Sequence, residues 1–131
     1  MLQRPVLRRL FDALDEGTLK AIAEAAARES SEIRILMVGE DTLAAYYKVL
    51  RGRLRKSGFA FTEATDGRVR RFTIRHDMGR KWSYFFKHHY EAMIAGVGYP
   101  SRVSFTDDTL VIEVDESRAG FDSNNNDGLR L

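Results

Sequence analysis

The chain of 131 residues contains no cysteine and only two prolines. Without thiols, disulfides, cysteine nucleophiles, Cys-ligated zinc and iron–sulfur clusters are excluded. No apolar run approaches the roughly 18 residues a membrane-spanning helix needs, and Met1–Phe11 lacks the apolar core of a signal peptide. A cytoplasmic protein with no membrane partner is therefore expected. Catalytic signatures are missing as well: there is no G-x-S-x-G elbow, no P-loop and no H-E-x-x-H pair. The expectation is a non-enzymatic protein with no cofactor. What the chain does have is charge, unevenly spread. Its 21 Lys and Arg against 19 Asp and Glu give a formal net charge of +2. Residues 48–87 hold 12 basic and 3 acidic side chains, a net of +9, whereas residues 1–47 carry −2 and residues 88–131 carry −5.

The length suits one domain able to bury a core unaided. Pro5 opens a first helix on which Val6, Leu10 and Leu14 share a face, and Gly17 supplies its stop. Thr18 is the expected N-cap of an alanine-rich second helix through Leu19, Ile22, Ala23, Ala26 and Ala27. Residues 33–38 fit either a strand or the end of that helix, and we favour helix ending near Gly39. Asp41 or Thr42 then caps a third helix with Leu43, Tyr47, Leu50 and Leu54 as its apolar stripe, closed by Gly58. The period changes to two at Phe59. Two hairpins, the first turning at Asp66-Gly67 and the second at Thr106-Asp107-Asp108, flank a helix of about five turns. Its inner side carries Trp82, Phe85, Phe86, His89, Met93 and Val97. The predicted fold is α+β: helices over 1–58, then a β-β-α-β-β unit over 59–116 with a four-stranded antiparallel sheet. Residues 117–131 are predicted to form a disordered tail.

The most distinctive run is His76-Asp77-Met78-Gly79-Arg80-Lys81-Trp82-Ser83, where a strand passes directly into a helix. Asp77 is expected to cap that helix, and His76 to face the core side beside Phe72 and Ile74. The run His-Asp-x-Gly-x-Lys-Trp-Ser resembles a signature in small archaeal domains of uncharacterised function. The likeness extends over roughly Pro5 to Val114. In several such proteins the domain follows a ribbon-helix-helix DNA-binding segment, which implies a link to transcriptional regulation. Only Met1–Arg4 precede the first expected helix here, so no such segment is expected. The resemblance carries no catalytic role to any residue.

Two functional readings follow. In the first, the junction residues His76, Asp77, Gly79, Arg80, Lys81, Trp82 and Ser83 line a site for a small anion or other small molecule. A helix N-terminus with two adjacent cations would favour such a ligand. Its bland counterpart is that Asp77 already occupies those donors and His76 is a structural partner. This reading describes a regulatory, sensing or oligomerisation domain, with a homodimer as the expected assembly. The alternative is a nucleic-acid binder using Lys48, Arg51, Arg55, Lys56, Arg68, Arg70, Arg71 and Arg75 as one patch. Against it, Glu113 and Asp115 on the last strand would neutralise Arg71 and Arg75 if the two strands were neighbours. No metal site is expected: His76 and His88 are roughly 18 Å apart along a helix, and adjacent His88 and His89 diverge by about 100°.

Overall fold

The computed structural model describes residues 4–38 and 43–117, which form four helices and one four-stranded antiparallel sheet, an α+β arrangement. In chain order these are α1 (Arg4–Ala13), α2 (Glu16–Val38), α3 (Leu43–Ser57), β1 (Ala60–Asp66) and β2 (Val69–Arg75). There follow α4 (Arg80–Val97), β3 (Ser101–Phe105) and β4 (Thr109–Asp115). Residues 33–38 are helical, as the end of α2. The expected break and cap at Gly39, Asp41 and Thr42 lie outside the described residues, as does the expected tail beyond Ser117.

The sheet runs β1-β2-β4-β3. The first hairpin turns at Gly67-Arg68, because Asp66 pairs with Val69. Gly67 takes φ 62°, the conformation that the first loop residue of a type II′ hairpin turn requires and that glycine adopts without a Cβ clash. The second hairpin brings β4 alongside β2 in antiparallel register, with Phe72 opposite Ile112 and Ile74 opposite Leu110. Period-two alternation then puts Phe72, Ile74, Leu110, Ile112 and Val114 on one face, all buried. They pack with Met93, Ile94 and Val97 of α4 and with Tyr47, Leu50 and Leu54 of α3 in one apolar core. The Tyr47 ring lies 5.4 Å from that of Phe72. Each such large side chain contributes roughly 1.5–3 kcal/mol by leaving water.

The helix α2 lies along α4 and buries Leu19, Ala23 and Ala27 at four-residue steps. Alanine at two of these positions lets the two backbones approach closely, since interaxial distance follows side-chain size. Its start differs from the sequence expectation. Asp15, not Thr18, caps the helix: its carboxylate accepts from the Thr18 backbone N–H at 2.8 Å and from the Thr18 hydroxyl at 3.1 Å. Those bonds hold the Asp15 carboxyl below its ordinary value. Gly17 consequently sits in the first turn of α2 instead of ending α1.

The docking of α1 also differs. Val6, Leu10 and Leu14 are exposed at 42%, 50% and 36%. The neighbouring stripe of Leu7 and Phe11 faces inward instead, with the Phe11 ring 4.7 Å from Trp82 and 5.1 Å from Phe85. Two apolar stripes were available on this short helix. The aromatic one wins because tilted and edge-on ring contacts add to burial. Polar contacts then pin both ends: Arg4 donates to the Ser57 carbonyl, and Lys81 Nζ donates to the carbonyls of Asp12 and Leu14 at 2.9 and 2.6 Å.

Candidate functional site

The strand-to-helix junction is tied to the turn between β3 and β4. The backbone N–H groups of His76 and Asp77 both donate to the Asp108 carbonyl, at 2.9 and 3.4 Å. Gly79 N–H donates to Asp108 Oδ1 at 3.2 Å. Gly79 is the N-cap of α4, at φ 92°, and no side-chain bond is made from the cap position itself. The expected cap, Asp77, points elsewhere. It adopts a positive φ of 58° and accepts from Arg75 Nε at 3.0 Å. The carboxylate serving the helix start thus comes from Asp108, across the sheet. A Cβ at residue 79 would lie 3.1 Å from the Arg8 guanidinium, so glycine also lets α1 sit against the junction.

His76 and Ser83 are brought within 2.7 Å of each other, Nε2 to Oγ, a pairing that spacing along the chain concealed. Geometry assigns the protons. Met78 N–H donates to His76 Nδ1 at 2.9 Å, so in the neutral ring Nε2 carries the hydrogen and donates to Ser83. The Ser83 hydroxyl in turn donates to the Asp107 carbonyl at 3.3 Å. A general base must accept from the serine, and this imidazole gives to it. Both residues are buried, at 1% and 0% exposed. Burial lowers the His76 pKa against the opposing pull of Asp108 and Asp77, which keeps the ring neutral. The pair is a structural relay joining β2, α4 and the β3–β4 turn.

Of the other junction residues, Lys81 is spent on α1, and Arg80 lies over the Phe105 ring and 3.8 Å from Glu16. Of the seven, Trp82 lines the pocket between α1, α3 and α4.

The basic residues of the middle region do not gather on one surface. Arg71 and Arg75 lie on the outer face of β2, whereas Arg70 shares the parity of Phe72 and reaches under α3. Most are answered by carboxylates. Glu63 receives Arg51 Nη2 at 2.7 Å and Arg70 Nη1 at 2.7 Å, and Glu116 receives Arg70 Nε at 2.8 Å. Arg51, followed by Arg70, holds the Glu63 carboxyl down to about 2. Glu113, directly opposite Arg71 in register, binds both Arg71 and Arg102 at 3.0 Å. Asp115, wholly buried, takes Arg68 Nε at 3.1 Å. The chain neutralises itself across β2 and β4. Of the eight residues considered for nucleic acid, Lys48, Arg55 and Lys56 make no ion pair among the described residues.

A pocket of about 390 Å³ opens where α1, the end of α3, the Phe59 entry to β1 and α4 meet. Its apolar walls include Leu7, Phe59, Met78, Trp82 and Phe86, and its lining contains Arg4, Arg53 and Lys56 but no carboxylate. None of these cations has an ion-pair partner among the described residues, although Arg4 also lies over the Phe59 ring at 5.1 Å. His89 and Tyr90 supply further polar atoms. This volume lies in the range typical of small-molecule sites, which pair apolar walls with a few fixed polar groups. Lys56 and Trp82 stand out in the sequence but their meeting does not, because the lining comes from three separate segments.

Among the described residues, no group of three or more His, Asp or Glu side chains could hold a metal ion, and no helix is long and apolar enough to cross a membrane. No protein-family model matches the chain, and no curated protein is similar to it.

Proposed function

We propose that this chain is a non-enzymatic sensing domain that binds a small anionic molecule in the pocket between α1, α3 and α4. The observation that carries the reading is the charge of the lining: three cations and no acid around an apolar-walled cavity. Across β2 and β4 the arginines are paired with carboxylates, so cations left together at a concave site are ones a ligand would satisfy. The likeness of the 76–83 run to domains attached to DNA-binding segments supports a regulatory setting. The junction's part is to hold Trp82 in place as a wall. Binding is tested by calorimetry and thermal shift with aryl carboxylates and phosphates. A rise in Tm that disappears in Arg53→Glu is the expected outcome, and no shift with any anion overturns the reading.

Self-association is a second reading, favoured by the exposed Val6 and Leu10 on α1 and Leu14 just after it. Sedimentation of the native chain and Leu10→Glu tests it, with a dimer lost in the variant as the expected result. The nucleic-acid alternative is weakened by the ion pairs of Arg51, Arg68, Arg70 and Arg71.

A further inference from the structure

The pocket lining also includes His89, one ring nitrogen of which receives no hydrogen bond among the described residues. His89 is buried, only 6% exposed, and its Nδ1 lies 3.3 Å from the Ala23 carbonyl on α2. A carbonyl can only accept, so Nδ1 carries the hydrogen and Nε2, on the opposite side of the ring from α2, keeps its lone pair. Among the described residues, nothing donates to that nitrogen. Burial, with the nearby Arg53, lowers the imidazole's affinity for a proton despite the bond to Ala23, so the ring stays neutral and Nε2 stays an acceptor. The Tyr90 hydroxyl beside it likewise has no hydrogen bond among the described residues, and burial keeps it protonated.

The pocket lining therefore combines three kinds of chemistry: cations, aromatic walls, and an imidazole acceptor that no described residue engages. Phe59 and Trp82 stand edge to face with centroids 6.3 Å apart, and Trp82 and Phe86 lie 4.9 Å apart, so one wall is a cluster of aromatic rings. Planar rings are the bodies that stack on such surfaces. A volume of 390 Å³ equals about 13 waters at roughly 30 Å³ each, room for two fused rings and a short acidic arm.

From this we infer that the pocket selects a planar heteroaromatic acid whose ring N–H donates to His89 Nε2 while its acid group meets Arg53 and Lys56. The inference deepens the anion-binding reading and rests on it. The ring donor separates this ligand class from simple aryl acids, which would leave the imidazole acceptor without a partner.

The experiment compares indole-3-acetate with 1-methylindole-3-acetate, which replaces the donor by a methyl group, and with naphthalene-1-acetate, which has rings of similar extent and no donor. Isothermal titration of the native chain is expected to show the indole acid binding about tenfold more tightly than either, the size of one hydrogen bond to an otherwise unpaired group. A parallel titration with 3-indoxyl phosphate and its N-methyl analogue shows whether a carboxylate or a phosphate serves as the acid, and the same donor preference in either supports the inference. In His89→Phe the preference is expected to vanish. The comparison on the native chain stands whether or not that variant folds. If all these acids bind equally well, the donor inference is overturned while anion binding stands. If none binds, anion binding itself is lost.

Discussion

Two basic regions of this molecule contrast in how their charge is answered. Along β2, the arginines meet Glu63, Glu113, Asp115 and Glu116 at 2.7 to 3.1 Å. At the pocket, Arg4, Arg53 and Lys56 meet no carboxylate among the described residues. Apart from Arg4, the sequence offers all of these cations in one basic block, residues 48–87. The fold divides them, because β4 carries acids into register with β2, whereas Arg53 and Lys56 near the end of α3 meet no carboxylate among the described residues. Paired charge therefore serves the fold, and unpaired charge is available to a ligand.

Acid should break the first region most severely. The Glu63 carboxyl is depressed from 4.5 to about 2, so its stabilising contribution is full above 4.5 and disappears as pH falls toward 2. The neutral, buried His76 and His89 act in a higher window. Their pKa values are lowered from 6.5, so stability begins to fall below that pH, where the unfolded chain takes up protons first. Denaturant melts across pH 8 to 2 should show a shallow decline below 6.5 and a steep one below 4.5. A flat profile would contradict both assignments.

Single substitutions probe the same contrast more gently. Asp115→Ala removes a buried carboxylate that accepts from Arg68 Nε and from the Ser117 N–H and hydroxyl, an expected loss of about 3 kcal/mol. Glu63→Gln removes the charge shared by Arg51 and Arg70 and should cost about 2 kcal/mol in urea melts. Ser83→Ala strands the hydrogen on His76 Nε2 inside the core, at a cost of about 1–2 kcal/mol. Arg53→Ala should change stability by no more than about 0.5 kcal/mol while abolishing the Tm shift produced by an anion. A loss of stability as large as that of Glu63→Gln would erase the distinction between the two regions.

Local features of the fold were legible where local chemistry determines them. The Leu43, Tyr47, Leu50, Leu54 stripe is buried, and the alternation of Val103, Leu110, Ile112 and Val114 points inward. The pairing of Arg71 with Glu113 follows once β4 is placed beside β2. Features determined at long range were hidden. Asp77 looks like a cap from its neighbours alone, but the carboxylate at the helix start belongs to Asp108, 29 residues beyond Gly79. On α1 two apolar stripes compete, and the choice depends on Phe11 finding Trp82. The His76–Ser83 contact spans a bend that residue spacing does not encode. The pocket gathers segments from α1 to α4, so no short motif announces it.

The tether of α1 determines which positions are open to variation. Lys81 grips the carbonyls of Asp12 and Leu14, groups that every amino acid supplies. Substitution at 12 or 14 leaves the grip in place, whereas exchange of Lys81 releases the helix end from 67 residues away. A chain related to this one could therefore change the outer surface of its first helix from apolar to charged and still present Leu7 and Arg4 to the same cavity.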